Sequence, residues 1–351
     1  MSLAELRLQD LRCLQSAQLQ LDARLNLISG DNGSGKTSLL EAIYLLGRGR
    51  SFRTRHTEQL IRRGAQRFWV RGRTRSEPRH DIALEWDRDS GSQIRLDHGP
   101  VSSRVELSEV FPVLVIDPGI HRLIEEGPAQ RRRWLDWAVF HVEPAFLRDW
   151  QDYARALKQR NAALQSGADT AAWDGALVQF GEALTVARTR FIAALQAHWS
   201  AITQQLGAVE ATVGFAQGWN RERSLAEALQ MQAQRDRERG ATLVGPHRFD
   251  VQLRFEGRAA REVISRGQQK ILGVAMALSM ARYLGSAAGR TPTLLLDDPA
   301  AELDSAHTEA LLRTVLGLDT QLVVTTLHAD DTLLGVPDAV FHVERGGVKR
   351  L

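Results

Sequence analysis

The sequence has a single cysteine, Cys13, and only four lysines among its 351 residues. One cysteine excludes an intramolecular disulfide and argues against a cysteine-based zinc site within the chain. Long hydrophobic runs are also missing, since the longest, Ile271 to Ala281, is bracketed by Lys270 and Arg282. That run is too short to span a bilayer and predicts a buried helix.

The amino terminus lacks a charged segment followed by an apolar stretch. No secretory signal is recognised, so we expect a cytoplasmic protein without a membrane partner. With 43% hydrophobic and 25% charged residues, the composition is typical of a globular chain large enough for two lobes. The net charge of +3 is unevenly distributed, because eleven arginines and two acids lie between Arg48 and His80. Such a segment is suited to the phosphates of a nucleic acid.

Apolar periodicity divides the chain into β-rich, helical and α/β parts. Strands are predicted at 3–8, 18–22, 25–28, 67–75, 81–86, 93–96, 251–255, 293–296, 322–325 and 341–344. Helices are predicted at 36–46, 265–285 and 303–316, and two apolar stripes within 128–206 predict a helical hairpin turning at 166–170. The first stripe consists of Trp150, Tyr153, Ala154, Leu157 and Leu164. We therefore predict an α/β fold with a discontinuous head, residues 1–108 and 241–351. Residues 109–240 would form an inserted helical second lobe with a short antiparallel arm.

Residues 30–37 read Gly-Asp-Asn-Gly-Ser-Gly-Lys-Thr, which matches the phosphate-binding loop G-x-x-x-x-G-K-T. The glycines let backbone N–H groups turn toward a β-phosphate, Lys36 reaches the β- and γ-phosphates, and Thr37 offers a hydroxyl to Mg²⁺. A strand precedes this loop and a helix follows, as the motif requires. ATP and Mg²⁺ are the predicted cofactors, and the predicted nucleotide contacts are Gly30, Asp31, Asn32, Gly33, Ser34, Gly35, Lys36, Thr37 and Ser38.

Two acids, Asp297 and Asp298, end the apolar strand predicted at 293–296. Asp297 suits the Mg²⁺ shell, and Asp298 could orient or deprotonate an attacking water. Acids often end strands, so this pair gains meaning from the phosphate loop in the same chain. We predict Lys36 and Asp298 as catalytic residues, and Thr37 and Asp297 as metal ligands.

Ser265, Arg266, Gly267 and Gln268 open the apolar helix that precedes the acid pair. Ser265 is placed as an N-cap. The functional alternative is an ABC-type signature, in which a serine hydroxyl and helix N-terminal amides bind the γ-phosphate of a nucleotide on another subunit. We therefore predict signature contacts to ATP in trans and an ATP-dependent homodimer.

Further positions follow the order of motifs in ABC ATPases. Glu302-Leu303-Asp304 stands where these enzymes carry the D-loop. Thr326 and His328 lie near the end of the next strand, where they carry a switch residue. Both remain candidates for that role.

In these motifs the chain resembles RecF, the bacterial recombination-mediator family related to the SMC ATPases. The matching segments are LRLQDLR at 6–12, NGSGKTSLLEAIY at 32–44, GRGRSFR at 47–53, GP, RRR and LD within 127–136, GPHR at 245–248, and LLDD with ELD within 295–304. The resemblance implies an ABC-type ATPase head, a helical lobe much shorter than an SMC coiled coil, and a nucleotide contact by Arg12. It also implies ATP-dependent binding of double-stranded or gapped DNA. Action with RecO and RecR in loading RecA onto single-stranded gaps, and slow DNA-stimulated hydrolysis that drives release, are further implications.

The basic segment supplies the predicted DNA contacts, which are Arg48, Arg50, Arg53, Arg55, Arg62, Arg63, Arg71 and Arg73. Arginines bind phosphate oxygens without reading bases, and no base-reading motif is recognised. Each could instead be a solvated charge, and Arg131 to Arg133 could pair with acids.

Three other functions use the same motifs. They are the nucleotide-binding subunit of an ABC transporter, a switch for which ATP binding matters and turnover does not, and a short SMC-like structural protein. The helical insert and the basic segment argue against the first, and the brief helical hairpin argues against the third.

Overall fold

The computed structural model describes residues 2–299, 303–327 and 334–351. The chain forms two compact units, the first of Met1–Ile120, Gln205–Gly207 and Leu284–Leu351, the second of His121–Gln204 and Ala208–Tyr283. Compactness thus groups 109–120 with the first unit and 241–283 with the second. The division at 108 and 240 follows changes in sequence pattern and stays a prediction about domains.

The secondary structure has the following bounds. The strands are β1 (Leu3–Leu11), β2 (Leu14–Gln20), β3 (Leu25–Ser29), β4 (Arg67–Thr74), β5 (Asp81–Asp87), β6 (Gly91–Leu96), β7 (Gly99–Pro100), β8 (Val113–Ile116), β9 (Thr212–Ala216), β10 (Asp250–Phe255), β11 (Arg258–Ala259), β12 (Thr293–Leu296), β13 (Leu322–Thr326), β14 (Ala339–Glu344) and β15 (Gly347–Arg350). The α-helices are α1 (Lys36–Arg48), α2 (Arg104–Val110), α3 (Arg122–Glu125), α4 (Pro128–Val142), α5 (Phe146–Ser166), α6 (Ala171–Gln205), α7 (Leu225–Arg239), α8 (Ala260–Val263), α9 (Arg266–Ala288) and α10 (Ser305–Leu316). Short 3₁₀ helices cover Thr57–Leu60 and Pro246–Arg248.

The first unit contains an antiparallel sheet in the order β2-β1-β4-β5-β6-β7. Its strands alternate, so that Leu6, Leu8, Val70 and Ile82 are buried while the residues next to them in each strand are more exposed. This alternation is typical of a sheet with one face on the core and one facing solvent. The strands predicted at 67–75, 81–86 and 93–96 are confirmed as β4, β5 and β6, and the strand predicted at 18–22 is displaced to Leu14–Gln20.

A second sheet of the first unit has the order β15-β14-β3-β13-β12-β8. All neighbours are parallel except β14 and β15. Strands β3, β12 and β13 are buried at every residue, as expected for a parallel sheet covered on both faces. Parallel strands place their carboxyl ends at one edge, which is where this sheet carries the predicted motifs.

The second unit is mainly helical and includes the sheet β11-β10-β9. The predicted hairpin is confirmed as α5 and α6, and Gly167 ends α5 in the left-handed conformation with φ 72°. Helix α6 has 35 residues, which corresponds to roughly 52 Å. Trp150, predicted on the buried stripe of α5, is 44% exposed instead. The buried face passes through Phe146, Tyr153, Ala156, Arg160 and Leu164.

Helix α9 is the apolar helix predicted from the sequence. It is long and apolar enough to cross a membrane, yet 67% of its most apolar window is buried inside the structure. Residues 269–281 are all buried. The prediction of a buried core helix is confirmed.

Buried arginines with carboxylate partners are part of the core of the second unit. Arg131 donates to both carboxylate oxygens of Asp250 at 2.8 and 3.0 Å and to three backbone carbonyls, so it stabilises the fold. Arg160 donates to Asp236 at 2.7 Å and to Asp174 at 2.7 Å, and Asp236 is fully buried. Such a charge is costly once its partner is removed.

Replacing Arg160 by leucine is expected to lower the free energy of unfolding by about 3–5 kcal/mol, because the Asp236 carboxylate would be buried without its partner. Urea denaturation followed by circular dichroism measures this loss. Arg155→Leu is the matched control, since Arg155 is exposed on the same helix and pairs with Asp152 at 3.2 Å. Equal losses in the two variants would contradict the structural role of Arg160.

Candidate nucleotide site

The candidate site lies where β3, β13 and β12 end at one edge of the parallel sheet. Strand β3 leads into the predicted phosphate loop, which leads into α1. Strand β12 is followed by Asp297 and Asp298, and β13, the strand between them, ends at Thr326. The topology therefore brings together motifs that are far apart in the sequence.

All three glycines of the loop have a positive φ, and at two of them a side chain would also clash. Gly30 has φ 147°, and a Cβ atom there would lie 2.3 Å from the carbonyl oxygen of Val343. Gly35 has φ 123°, and its Cβ would lie 2.7 Å from Cδ2 of Leu14. A side chain at either position would combine backbone strain with a clash, so the loop requires these glycines.

Lys36 is the first residue of α1 and is 7% exposed. Its ammonium donates to the carbonyl oxygens of Gly30 at 2.5 Å and Asp31 at 3.0 Å. These contacts hold the charge at the loop. Ser34 adds a buried hydroxyl that has no hydrogen-bond partner among the described residues. An unpaired buried hydroxyl in such a loop is suited to a polar ligand.

A hydroxyl–carboxylate contact joins the loop to the acid pair. Thr37 Oγ1 donates to Asp297 at 2.8 Å from Oδ1, and Thr325 Oγ1 donates to the same oxygen at 3.0 Å. The Thr325 hydroxyl also accepts the backbone N–H of Asp298 at 2.8 Å. Thr325 therefore fixes both acids, a role that the sequence analysis did not assign to it.

The donor set fits Mg²⁺, which prefers hard oxygen ligands and is bound in proteins by one or two carboxylates together with substrate phosphates. Thr37 and Asp297 supply a hydroxyl and a carboxylate that already touch. Mg²⁺ bound there would neutralise charge on the phosphates.

Asp298 differs from its neighbour in conformation and electrostatics. It has φ 47°, a strained value for a residue with a side chain. Burial raises the pKa of its carboxyl, Lys36 opposes that rise, and the charge of Asp297 adds to it. A carboxyl whose pKa is moved toward neutrality is suited to proton transfer.

The cleft around these groups has a volume of about 840 Å³, within the usual range for ligand sites. It is lined by Arg12, Cys13, Asp31, Asn32, Gly33, Gly35, Lys36, Thr37, Ser38, Arg53, Gln59, Ile61, Arg62, Arg63, Pro118, Asp297 and Asp298. The structure thus brings together the predicted phosphate loop, Arg12 and both acids. Three arginines predicted to contact DNA, Arg53, Arg62 and Arg63, also line this cleft.

Arg12 reaches the cleft through a contact that sequence reasoning missed. Its guanidinium forms a two-pronged pair with Glu41 at 2.9 and 2.9 Å. Glu41 lies on α1 and is fully buried. In the sequence Glu41 reads as an ordinary polar residue of a helix, so no pattern signals this pairing.

The predicted signature lies in the second unit, at the start of α9. Gln268 donates its backbone N–H to Ser265 Oγ at 3.3 Å, and the Gln268 side chain accepts the Ser265 N–H at 2.9 Å. This reciprocal arrangement is a capping box, so the N-cap interpretation of Ser265 is confirmed. Residues Ser265, Arg266, Gly267 and Gln268 are all exposed.

The other arginines predicted to contact DNA have varied surroundings. Arg50 and Arg55 are exposed. The guanidinium of Arg48 lies 5.7 Å from the ring centre of Tyr44, and burial lowers its pKa. The guanidinium of Arg48 is thus packed against its own helix, and its contact with DNA stays a prediction.

Arg71 and Arg73 lie on β4, on the polar face of the antiparallel sheet. Arg73 pairs with Asp81 at 2.7 Å, and Arg71 stacks 4.9 Å from the ring centre of Trp69. The strand register places Arg7 opposite Arg71, and Ala83 opposite both Arg71 and Arg95. Arg7 and Arg95 are therefore additional cations of this face that the sequence analysis did not select.

Two residues of the predicted D-loop and switch, Glu302 and His328, lie outside the described residues. Asp304, the last residue of the predicted D-loop, caps α10 through the backbone N–H of His307 at 2.9 Å. Thr326 is buried at the end of β13.

Comparisons with known proteins all indicate the same family. The sequence model of the "RecF/RecN/SMC N terminal domain" matches residues 2–345. The DNA replication and repair protein RecF of Xanthomonas euvesicatoria is 40% identical over 374 residues, covering 100% of this chain and 99% of that protein. RecF of Thioalkalivibrio sulfidiphilus is 37% identical, with 99% of each chain covered.

Solved structures agree with this. A structure of the recombination mediator protein RecF with ATP, in the RecFOR pathway, matches with a TM-score of 0.88 and 26% identity, covering 100% of this chain and 97% of that one. An Smc head bound to part of ScpA matches with a TM-score of 0.63 and 16% identity over 100% of this chain and 97% of that chain, a likeness of fold. The predicted α/β ATPase-head fold is confirmed, and this chain belongs to the RecF family of DNA replication and repair proteins.

Proposed function

We propose that this protein binds ATP with Mg²⁺ and hydrolyses it slowly, and that ATP joins two heads into a dimer that clamps double-stranded or gapped DNA. With RecO and RecR, this dimer would promote the loading of RecA onto single-stranded gaps, and hydrolysis would drive its release. The contact between Thr37 and Asp297 at 2.8 Å carries this proposal, because it joins a phosphate loop to a metal-binding acid. The RecF protein solved with ATP supports the choice of nucleotide.

Each group of the site has a role in phosphoryl transfer. Lys36 and the loop amides would bind the phosphates, and Thr37 with Asp297 would hold Mg²⁺ to neutralise their charge. Asp298, held by Thr325, accepts a proton from the attacking water. Arg12, fixed by Glu41, adds a positive charge at the rim of the cleft.

The signature completes the site only in a dimer. Ser265, Arg266, Gly267 and Gln268 are exposed at the N-terminus of a long helix, where backbone amides and the helix dipole favour an anion. We propose that this terminus contacts the γ-phosphate of ATP on the partner subunit. ATP then supplies much of the interface, and hydrolysis weakens it.

DNA would contact the polar face of the antiparallel sheet. Arg7 and Arg71 stand directly opposite each other, and Arg7 also pairs with Glu5 at 2.6 Å. With Arg73 and Arg95 they line a cavity of about 420 Å³. Such a cluster suits phosphate oxygens, so binding would be independent of base sequence. The exposed Arg50 and Arg55 belong to the same basic segment.

The three alternative functions are not equally supported. Family membership and full-length coverage by RecF proteins argue against a transporter subunit and a structural SMC-like protein. A switch that binds ATP without needing turnover uses the same groups. Asp298 separates that case from the ATPase.

Asp298→Asn is expected to retain ATP binding and to lose most hydrolysis, and the pH profile of the wild type tests the same role. Asp298 acts as a base only when deprotonated, and burial raises its pKa. The rate should therefore fall, as the pH is lowered, at a higher pH than for an ordinary aspartate. Measurement of kcat from pH 4 to 9 under saturating ATP tests this. A variant with wild-type turnover, or a flat profile through the acidic range, would contradict the role of Asp298.

A further inference from the structure

A fully buried carboxylate, Glu41, lies on α1 just beyond the phosphate loop. Burying a charge without partners is costly, so the groups around it show what it holds in place. Arg12 donates two hydrogen bonds to it, Ser51 donates one from its hydroxyl, and Arg53 approaches to 3.9 Å. These partners come from the turn between β1 and β2 and from the segment that follows α1.

Arg12 is held from several sides. Its backbone has φ 55°, a strained value for a residue with a side chain. The backbone N–H donates to the carbonyl of Leu60 at 2.6 Å, and Nη1 donates to the carbonyl of Gln59 at 2.9 Å. Among the described residues, three of the five guanidinium N–H groups are then engaged, which leaves two for a ligand in the cleft.

The segment 49–63 contacts the pair of Glu41 and Arg12, and it also lines the nucleotide cleft. Ser51 and Gln59 bind Glu41 and Arg12, while Arg53, Arg62 and Arg63 of the same segment line the nucleotide cleft. Arg12 therefore contacts both the cleft and the segment. A phosphate that binds Arg12 would stabilise the present position of its guanidinium. Because that guanidinium also donates to Gln59 of the segment, the phosphate would favour the present conformation of the segment as well.

We propose that Glu41 is a positioning residue that aims Arg12 at a phosphate of the nucleotide and, through Ser51, ties the segment 49–63 to the occupied cleft. Nucleotide binding would thereby order a stretch that carries five arginines, Arg50, Arg53, Arg55, Arg62 and Arg63. This inference rests on the proposed ATP site. It adds a route by which ATP changes the basic surface of each protomer.

Glu41→Gln keeps the size of the side chain and removes its charge. We expect ATP affinity to fall by about ten- to a hundredfold, the usual range for lost hydrogen bonds to a charged group. The ATP affinity of Arg12→Ala should fall by a similar factor, and the double variant should bind ATP no more weakly than Arg12→Ala does. A merely structural Glu41 would add its own loss to that of Arg12, and additive losses would overturn the proposal.

Hydrogen exchange of the segment 49–63 tests the second half of the proposal. In the wild type, ATP should slow exchange of these amides. Ser51→Ala, which leaves the pair of Glu41 with Arg12 intact, should bind ATP as the wild type does and lose most of this protection. Equal protection in the wild type and in Ser51→Ala would overturn the link to the segment.

Controls separate this proposal from the proposed ATP site. Glu85→Gln removes an exposed carboxylate paired with Arg67 in the same unit, and it should change neither ATP affinity nor protection. Lys36→Met should lose ATP in any case if the phosphate loop is the site. If Lys36→Met loses ATP binding while Glu41→Gln keeps wild-type affinity, only the role of Glu41 is overturned and the ATP site stands. Wild-type affinity in Lys36→Met would overturn the ATP site itself.

Discussion

Replacing Lys36 by methionine is expected to weaken ATP binding strongly, and with it ATP-dependent dimerisation and DNA capture. The Lys36 ammonium is the cation held at the loop by Gly30 and Asp31. Its removal deletes charge-assisted contacts to two phosphates, which corresponds to a loss of about a hundredfold in ATP affinity. Turnover should fall by about 10²–10³-fold, since this charge also stabilises the transition state.

Fluorescence titration with a labelled ATP analogue measures the affinity, and phosphate release measures the turnover. Lys158→Met is the matched control, because Lys158 is an exposed lysine of α5 in the other unit. It should behave as the wild type in both assays. A Lys36→Met protein that still dimerises with ATP and binds DNA tightly would show that the nucleotide clamp is wrong.

Replacing Ser265 by arginine is expected to abolish the ATP-dependent dimer while each protomer still binds ATP. The phosphate loop that binds ATP lies in the first unit, whereas Ser265 is an exposed N-cap in the second. A long cationic side chain there would block the approach of the partner's γ-phosphate to the helix terminus. Light scattering with ATP measures the dimer, and equilibrium dialysis measures the binding.

Ser265→Arg also removes the N-cap of α9, so the effect of the lost cap must be distinguished from a direct effect on dimerisation. Ser224→Arg makes the same change at the N-cap of α7, which has an equivalent capping box with Glu227. Both variants should lose about 1 kcal/mol of stability. Only Ser265→Arg should lose the dimer, and loss in both variants would attribute the effect to folding.

The phosphate loop, the acid pair and their supporting strands could be predicted from the sequence because each depends on local pattern. The predicted strand at 293–296 and the strand at 25–28 match β12 and β3 closely. The helix start at Lys36 is also confirmed. A loop motif and two apolar strands therefore contain enough information to place Lys36, Thr37 and Asp297 together.

Other features depend on residues far apart in the sequence. Strand β8 is a four-residue apolar run whose partner is β12, and so short a run does not distinguish strand from helix. Strand β9 pairs with β10 in the helical unit and was likewise missed. Glu41 and Thr325 gain their roles from Arg12 and Asp297, which only the folded topology brings to them.

Trp150 shows a different limit. Helical spacing placed it on the buried stripe of α5, yet the buried face includes Arg160 and leaves Trp150 exposed. A hydrophobicity pattern counts arginine as polar, so it cannot anticipate an arginine buried with two aspartates. The predicted stripe therefore lies away from the buried face of α5 in the first turns of the helix.

DNA binding and molar mass, measured together at two salt concentrations with ATP, ADP and no nucleotide, test the central claim most directly. The account predicts a dimer with ATP alone, and predicts that this dimer binds duplex DNA. Four arginines of each sheet face, Arg7, Arg71, Arg73 and Arg95, give eight contacts in a dimer, so affinity should fall by about 10⁴-fold between 50 and 200 mM salt. An ATP-dependent dimer that ignores DNA would keep the nucleotide site and contradict the clamp.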